Sequence, residues 1–420
     1  LYGIFYAVLI REKAPLKIPY QRQYVSLVLL LLTAALFIPI RGGFSVSTMN
    51  LSKVYYSQNQ RMNHAAINPA FSFMYSATHQ NNFDKQYRFM DPKVADDLLA
   101  EMLDKPVAAT DSIPQILNTQ RPNIIFIILE SFSTHLMETM GGQPNVAVNM
   151  DKFGKEGVLF TNFYANSFRT DRGLASIISG YPGQPSTSIM KYPEKTDGLP
   201  SIPRSLKNAG YSLEYYYGGD ADFTNMRSYL VSSGIEKIMS ERQGKWGAPD
   251  HTLFQRFLKD LKEEKQQEPF FKIVQTSSSH EPFEVPFYRL DDKVLNAFAY
   301  ADSCVGDFVR QYKETPMWKN TLIVLVPDHL GAYPRPVENP LEGHTIPLIL
   351  IGGAVKEPRV VDTYASQIDI AATLLSQLGL PHDDFTFSKN IFNPSSPHFG
   401  YFTEPTLFSV QSGCQHRPDR

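Results

Sequence analysis

The stretch NIIFIILESFS, residues 123–133, decides the fold. Its apolar run, residues 124–129, consists mostly of β-branched isoleucines and predicts a strand that is buried on both faces. Such strands are typical of parallel sheets that helices cover on both sides. Glu130 follows the run directly, and sites in such sheets collect beyond the carboxyl ends of the strands. The sequence therefore predicts an α/β domain, with Glu130 as its first candidate site residue.

Segments with strand-like and helix-like patterns alternate along the rest of the chain. The predicted strands are 124–129, 157–164, 213–217, 270–275, 321–326 and 346–351, and the predicted helices cover 173–179, 203–209, 250–262, 294–312 and 367–378. This alternation predicts a largely parallel sheet flanked by helices. Glu130, Gly218, residues 276–280 and Asp328 all follow predicted strands, so we expect them at one edge of the sheet.

Four separated signals indicate a metal site at that edge. They are Glu130, Thr170 within RTDRG, His280 within SHEP, and the pair Asp328-His329 after an apolar run. Carboxylates, a hydroxyl and an imidazole can jointly hold a divalent cation, and a hydroxyl bound to a cation is an activated nucleophile. A simpler role for Thr170 is to cap the helix that follows it. The order and spacing favour the metal site.

Further side chains are candidates for contacts with a ligand. Arg172 follows Thr170 at a predicted helix start, a place that suits anions. His280 and His344 are each able to bind phosphate oxygens or to protonate a leaving alkoxide. Asp220 and Asn225 follow the strand that ends at Gly218-Gly219, and turn capping is an equally good explanation for both.

The composition limits the classes of function. The chain has 420 residues and a formal net charge of −2, which gives no reason to expect nucleic-acid binding. Its two cysteines are far apart in the sequence, so neither a disulfide scaffold nor a cysteine-built metal site is expected.

The N-terminal region predicts a membrane anchor. Residues 24–40 carry no charge and are just long enough to cross a bilayer, although a buried core helix has the same pattern. Basic residues dominate 11–22, which places that loop in the cytoplasm and the rest of the chain outside the cytoplasmic membrane. We expect residues 1–40 to be the last part of a membrane region and residues 41–119 to form a partly helical linker with a helix at 92–103. Residues 120–395 are expected to form the catalytic domain, and residues 396–420 a C-terminal tail.

Seven stretches in this order resemble the lipoteichoic acid synthase and phosphoglycerol transferase family, within the alkaline phosphatase and sulfatase superfamily. They are NIIFIILESFS, NSFRTDRGLASIISGYP, YYYGGDADFTNMRSYL, KWGAPDHTLF, SSSHEPF, VPDHLG and GHTIPLILIG. The resemblance covers roughly residues 120–395. It implies an alkaline phosphatase-like α/β fold, and it makes the N-terminal span similar to the end of a multi-pass membrane region.

The resemblance also implies a site and an activity. Glu130, Thr170, Asp328 and His329 would bind one divalent cation, with Mn²⁺ favoured over Zn²⁺ or Mg²⁺. Thr170 would be the nucleophile, and a phosphoglycerol or phosphoethanolamine headgroup would pass from a phospholipid to an alcohol on a glycan or lipid. His280 and His344 would contact the substrate phosphate. The alternatives are a phosphodiesterase or sulfuric-ester hydrolase, and a non-catalytic binding domain.

The sequence departs at two places from the patterns of the family and superfamily that it resembles. The sulfatase pattern of Cys or Ser followed by x-Pro-x-Arg is absent, since Thr170 is followed by Asp171 and Arg172, and this disfavours a formylglycine mechanism. The His and Trp of lipoteichoic acid synthases near the glycerol-phosphate arginine are missing from residues 217–227.

Overall fold

The structure is a computed structural model that describes residues 22–44, 49–78, 88, 90–104, 113–240, 247–263, 266–331, 333, 343–404 and 407–412. The chain divides into two compact units, Leu1–Met49 and Asn50–Arg420. The first unit contains helices α1 (Arg22–Ala35) and α2 (Phe37–Arg41). They form the apolar stretch Gln23–Arg41, with a mean hydropathy of 2.1 and no buried residue. Its length and composition fit the predicted span 24–40.

The second unit begins with a segment that we expected to be a linker. It contains helices α3 (Gln60–Ala66), α4 (Pro69–Thr78) and α5 (Pro92–Met102), the last close to the predicted helix at 92–103. Its first part packs against the folded unit: Ser52 is fully buried, and its hydroxyl accepts a hydrogen bond of 2.8 Å from the Ser228 amide. Residues 50–66 therefore belong to the folded unit.

An eight-stranded sheet forms the centre of the second unit. Its strands are β1 (Asn123–Leu129), β2 (Val158–Phe160), β4 (Ser212–Tyr217), β5 (Lys237–Ser240), β6 (Phe270–Gln275), β7 (Thr321–Pro327), β8 (Leu348–Ile351) and β9 (Arg359–Val361). Their order is β5-β4-β6-β1-β7-β8-β2-β9. All pairings are parallel except those of β8 with β7 and β2, so the prediction of a largely parallel sheet is confirmed.

Strand β1 is buried on both faces, as its apolar run predicts. Ile124, Phe126 and Ile128 pack into one core cluster, together with helices α7 (Thr170–Ser179), α9 (Ile202–Asn208), α10 (Met226–Ser232) and α13 (Ile370–Gln377). The intervening Ile125, Ile127 and Leu129 pack into a second cluster, with α6 (Val148–Glu156), α11 (Asp250–Glu263) and α12 (Lys293–Tyr312). Helices therefore cover both faces of the sheet. The short helix α8 (Pro193–Thr196) lies between α7 and α9 in the chain.

Three predicted elements differ from the structure. The predicted strand 157–164 is split into β2 and β3 (Phe163–Tyr164), because β3 pairs with β10 (Ala365–Ser366) in a separate sheet. Helix α7 begins at Thr170 and not at residue 173, so that Thr170 lies in its first turn. Residues 396–404, which we expected in a tail, contain β11 (Phe399–Glu404), which pairs with β12 (Leu407–Ser412).

Candidate active site

The register of the sheet brings the first two candidate carboxylates together. Leu129 of β1 is paired with Pro327 of β7, and the Asp328 amide donates a hydrogen bond of 3.1 Å to the Leu129 carbonyl. Glu130 and Asp328 are the residues that follow these paired positions. Parallel strands end at the same edge, so two sequence-distant acids become neighbours.

Glu130, Asp328 and His329 form a buried cluster that could hold a metal ion. Their ligand atoms all lie within 4.8 Å of one another. His329 Nε2 is 3.6 Å from Glu130 Oε1 and also 3.6 Å from Asp328 Oδ2. The three residues are at most 9% exposed. Two carboxylates and one imidazole suit Mn²⁺, Mg²⁺ or Zn²⁺.

A hydrogen bond at Nδ1 orients His329 so that its Nε2 faces the other two residues of the cluster. Its Nδ1 lies 2.7 Å from the Leu330 carbonyl, which can only accept, so Nδ1 carries the proton. The lone pair of Nε2 then faces the two carboxylates, as in metal-binding histidines whose other nitrogen is fixed by a carbonyl. Burial alone would lower the pKa of His329, but the charges of Asp328 and Glu130 raise it.

One oxygen of Asp328 has no hydrogen-bond partner among the residues that the structure describes. Its Oδ1 accepts hydrogen bonds from the Ser131 amide at 2.9 Å and from the His329 amide at 2.8 Å, whereas the buried Oδ2 accepts none from these residues. Burial, together with the charge of Glu130, raises the pKa of Asp328 to about 7. A buried carboxylate oxygen without a donor is costly unless a cation compensates it. The residues present therefore fit a divalent cation.

Thr170 lies at the edge of this cluster. It is the first residue of α7, and its Oγ1 is 3.3 Å from His329 Nε2. The helix approaches β7 closely because Gly173 has no side chain: a Cβ there would lie 1.9 Å from the Asp328 carbonyl oxygen. Thr170 thus has a hydroxyl beside the cluster and the partial positive charge of a helix N-terminus around it.

Ser131 supports the cluster, a role that sequence reasoning missed. Its hydroxyl donates a hydrogen bond of 2.6 Å to Glu130 Oε1, and its backbone has φ 58°, an uncommon conformation for a serine. A Cβ on Gly331 would lie 2.1 Å from the Ser131 Cβ, so this turn tolerates only small residues. The only signal in the sequence is the small polar turn after β1.

The loop that carries His280 is also connected to the cluster. Thr276 Oγ1 accepts the Glu130 amide at 2.9 Å, and the Ser279 hydroxyl donates to the Glu130 carbonyl at 2.6 Å. Asp250, at the start of α11, accepts hydrogen bonds from the amides of residues 277 and 278. Burial raises the pKa of Asp250 to about 6. Asp250 is the first residue of the predicted helix 250–262, and in the structure its carboxylate also fixes this loop.

A cavity of about 400 Å³ opens beside the cluster. All three histidines in its wall are predicted site residues: His280 and His344, and His329, which also belongs to the cluster with Glu130 and Asp328. His344 precedes β8, which runs antiparallel to its neighbours and so enters the sheet from the edge where the other strands end. The wall also includes Glu404, which we had placed in the tail. The other lining residues are Ser131, Phe168, Ser279, Glu281, Phe283, Leu330 and Gly331.

Three predicted contact residues are absent from the described cavity wall. Arg172 is buried, and its Nε donates a hydrogen bond of 2.7 Å to the Thr187 carbonyl. Asp220 accepts a hydrogen bond from the backbone of its own turn. Asn225 is 4% exposed with φ 63°, and no described residue donates a hydrogen bond to its Oδ1. Roles for these side chains in substrate binding stay predictions.

Comparison with known proteins identifies the family. The family model described as Sulfatase matches residues 122–380, more than half of the chain. The chain belongs to the sulfatase family. Its fold is that of the alkaline phosphatase superfamily: a solved structure of a protein in that superfamily from Vibrio parahaemolyticus has a TM-score of 0.68 and 26% sequence identity, and the match covers 78% of this chain and 85% of that one.

Two curated relatives of this sulfatase-family chain carry names of transferases or synthases. Lipoteichoic acid synthase 2 of Bacillus subtilis is 23% identical over 63% of this chain and 46% of its own length. Phosphoglycerol transferase I of Xanthomonas campestris pv. campestris is 24% identical over 68% of this chain and 45% of its own length. The chain thus spans about half the length of these relatives. The predicted resemblance to these two groups is confirmed.

Proposed function

We propose that the protein is a metal-dependent phospho-headgroup transferase that acts at the outer face of the cytoplasmic membrane through a phospho-threonine intermediate. The observation that carries this proposal is the position of Thr170. Its hydroxyl lies 3.3 Å from His329 Nε2, at the N-terminus of α7 and beside two buried carboxylates. A nucleophile next to a metal cluster is the arrangement that phosphoryl transfer needs.

The chain's own residues would divide the work as follows. Glu130, Asp328 and His329 would hold one divalent cation, with Mn²⁺ favoured over Zn²⁺ or Mg²⁺ on the resemblance, and Thr170 would complete the set. Such a cation lowers the pKa of a bound hydroxyl and neutralises charge on a phosphoryl group. Ser131 and Asp250 would keep the ligands and the His280 loop in place, and His280 would contact the phosphate.

The reaction would have two balanced halves. Thr170 Oγ, having lost its proton to solvent, would form a bond to phosphorus while the bond from phosphorus to the diacylglycerol oxygen breaks, and that oxygen would take up one proton. In the second half an acceptor hydroxyl on a glycan or lipid would lose its proton and form the new ester as the bond from Thr170 Oγ to phosphorus breaks, which returns Thr170 Oγ to its starting state. The donor would be a phospholipid with a phosphoglycerol or phosphoethanolamine headgroup. The relative named phosphoglycerol transferase I supports the first of these headgroups, and the apolar stretch Gln23–Arg41 supports a donor in the membrane.

The Thr170→Ala variant tests the nucleophile. We expect turnover to fall by at least about 10³-fold, because the covalent route is lost. The melting temperature and the bound-metal content should change little, since three of the proposed ligands remain. A phospholipid labelled in its headgroup should label wild-type protein at Thr170 under acid quench, and not the variant. Turnover close to that of the wild type in the variant would refute the mechanism.

The second candidate function is hydrolysis, because the family is named for sulfatases. Product analysis with and without an alcohol acceptor separates the two functions. A transferase forms a new phosphodiester whose yield rises with acceptor concentration, whereas a hydrolase releases only the free phospho-headgroup. Sulfate-ester turnover is not expected, because Thr170 stands in place of the Cys or Ser that is converted to formylglycine.

A further inference from the structure

His344 and Glu404 form a pair in the cavity wall that the reaction described above does not use. His344 Nε2 lies 3.2 Å from Glu404 Oε1. The His344 side chain is only 2% exposed, whereas that of Glu404 is 40% exposed, so the pair joins the buried interior to the cavity. Glu404 is the last residue of β11 and His344 lies just before β8, so the pair connects two different parts of the fold.

The ring of His344 is held by packing against strand β11. Phe402 stacks on it with ring centroids 4.4 Å apart and planes at 17°. Strand β11 is fixed in turn by Asn166, whose carbonyl accepts the Thr403 amide at 3.0 Å and whose side-chain amide donates to the Tyr401 carbonyl at 2.9 Å. The orientation of the ring, and with it the direction of Nε2, is therefore set by packing.

Counting donors and acceptors shows that one proton must be shared within the pair. His344 Nδ1 lies 3.2 Å from the Ala165 carbonyl, which can only accept, so Nδ1 carries a hydrogen. Nε2 then faces a carboxylate oxygen, which is also an acceptor when ionised. The contact is a hydrogen bond only if one proton lies between them, either on Nε2 or on Glu404.

The surroundings make this proton labile. Burial lowers the pKa of His344, and the carboxylate of Glu404 opposes that shift. His329, from the end of β7, also lowers the pKa, and His280 and Glu281 line the same cavity from their loop. The net effect lowers the pKa of His344 below its ordinary value, so a proton on this ring is given up more readily than from a free imidazolium, which favours general acid catalysis.

We propose that Glu404 is a positioning residue that holds an exchangeable proton on His344, and that this proton is given to the departing lipid alkoxide. As the bond from phosphorus to the diacylglycerol oxygen breaks, the proton moves from the pair to that oxygen. Two facing lone pairs remain, on Nε2 and on the carboxylate. The pair is then a base that takes the proton of the acceptor hydroxyl as the phospho-threonine is cleaved. This proposal rests on the proposed function and assigns its acid and base.

A comparison of two donors tests the proposal. A phospholipid releases an alkoxide that needs a proton, whereas bis(p-nitrophenyl) phosphate releases a stable phenolate that does not. In a single turnover, which reports the first half-reaction alone, we expect Glu404→Gln to slow the release of diacylglycerol from the phospholipid by about 10²-fold and the release of nitrophenolate by less than about threefold. Glu404→Asp should recover part of the loss on the phospholipid. Glu284→Gln is the control, since that side chain is 72% exposed and contacts Lys293 instead.

The pH profile provides a second readout. With the phospholipid, kcat should fall at high pH as the pair loses its proton, and in Glu404→Gln that fall should move to lower pH because the carboxylate no longer raises the pKa. Equal losses on both donors would show that Glu404 only holds β11 in place and would overturn the proposal, as would unchanged activity on the phospholipid. If the wild-type protein turns over neither donor, the proposed function itself fails.

Discussion

At the scale of single residues, the site depends on how closely α7 approaches the end of β7. Gly173 contacts the backbone of Asp328, and no rotamer change can relieve a clash with a carbonyl oxygen. The same contact places Thr170, one turn earlier in the helix, beside His329. Gly173, at which the sequence predicts the start of the helix, therefore sets the distance between the proposed nucleophile and the proposed metal ligands.

The Gly173→Ala variant should separate activity from stability. Its Cβ would lie 1.9 Å from the Asp328 oxygen, so α7 must move away. We expect a loss of about 1–3 kcal/mol in the free energy of unfolding, as for other overpacked positions. Turnover should fall by more than about tenfold, because small displacements of reacting groups are costly. The measurements are urea unfolding and turnover at saturating donor.

Gly198→Ala is the matched control for this substitution. A Cβ at Gly198 would have its nearest neighbour at 3.7 Å, which is an ordinary contact. Its stability should stay within about 0.5 kcal/mol of the wild type. If Gly173→Ala keeps wild-type turnover, the close approach of α7 has no functional meaning.

The sequence predicts some of the site residues much better than others. Glu130 and Asp328-His329 follow apolar runs, and the rule that parallel strands end together is enough to bring them into one cluster. Glu404 could not be found in this way, because it reaches the cavity through the pairing of β11 and the stacking of Phe402 on His344. Contacts of that kind depend on tertiary packing and leave no periodic signal in the chain.

At the scale of elements, strands β4 and β6 are joined by a buried ion pair. Glu214 and Lys272 are register partners, and Lys272 Nζ lies 2.5 Å from Glu214 Oε2. The Lys272 side chain is only 2% exposed, and the Tyr216 hydroxyl donates to the same carboxylate oxygen at 2.7 Å. Burial would raise the pKa of Glu214, but the hydrogen bond and charge of Lys272 lower it.

Glu214→Gln should destabilise the sheet strongly at neutral pH. The buried ammonium group of Lys272 would lose its partner, which typically costs about 3–5 kcal/mol. The double variant Glu214→Gln/Lys272→Met should recover most of this loss, because no uncompensated charge remains. Lys259→Met is the control, since its side chain is 63% exposed on α11. Urea unfolding measures all four proteins, and a double variant no more stable than the single one would contradict this account.

The same pair predicts a dependence of stability on pH. The pKa of Glu214 is lower in the folded state than its ordinary value of 4.5, so its contribution is complete above that pH. This stabilisation by Glu214 is lost as the pH falls through the lowered pKa that Glu214 has in the folded protein. The wild type should therefore lose more stability than the double variant when the pH falls below about 4.5.

Element prediction succeeded where the pattern is strong and local. Strand β1 and helix α12 were predicted to within one residue, because a long apolar run and a long amphipathic stretch have few alternatives. The predicted strand 157–164 was split because β3 leaves the central sheet to pair with β10, a partner about 200 residues away in the chain. Such a choice between partners is made by tertiary contacts.

At the scale of the whole molecule, the boundary between the two units has a functional consequence. The segment after Met49 is held to the folded unit by several side chains. Ser52 accepts the Ser228 amide in the first turn of α10, and Gln58 donates to the Ile235 carbonyl just after that helix. Helix α10 follows the turn that contains Asp220 and Asn225. This segment therefore supports the predicted substrate-contact region around Asp220 and Asn225. A truncation within the segment should affect the stability of the folded unit, whereas a truncation before it should not.

A chain that starts at Asn50 should fold, remain soluble and bind the metal ion, because every described ligand and core residue of the second unit is retained. It should lose activity on phospholipid bilayers more than on small soluble diesters, since the apolar stretch Gln23–Arg41 no longer holds it at the membrane surface.

A chain that starts at Asn68 should be less stable by roughly 1–2 kcal/mol, because α10 loses the hydrogen bond of its first turn. Thermal unfolding, metal content and turnover of both donors measure these effects. Insolubility of the chain that starts at Asn50 would show that the first unit packs into the fold, and equal losses on both donors would show that the apolar stretch does not act as an anchor.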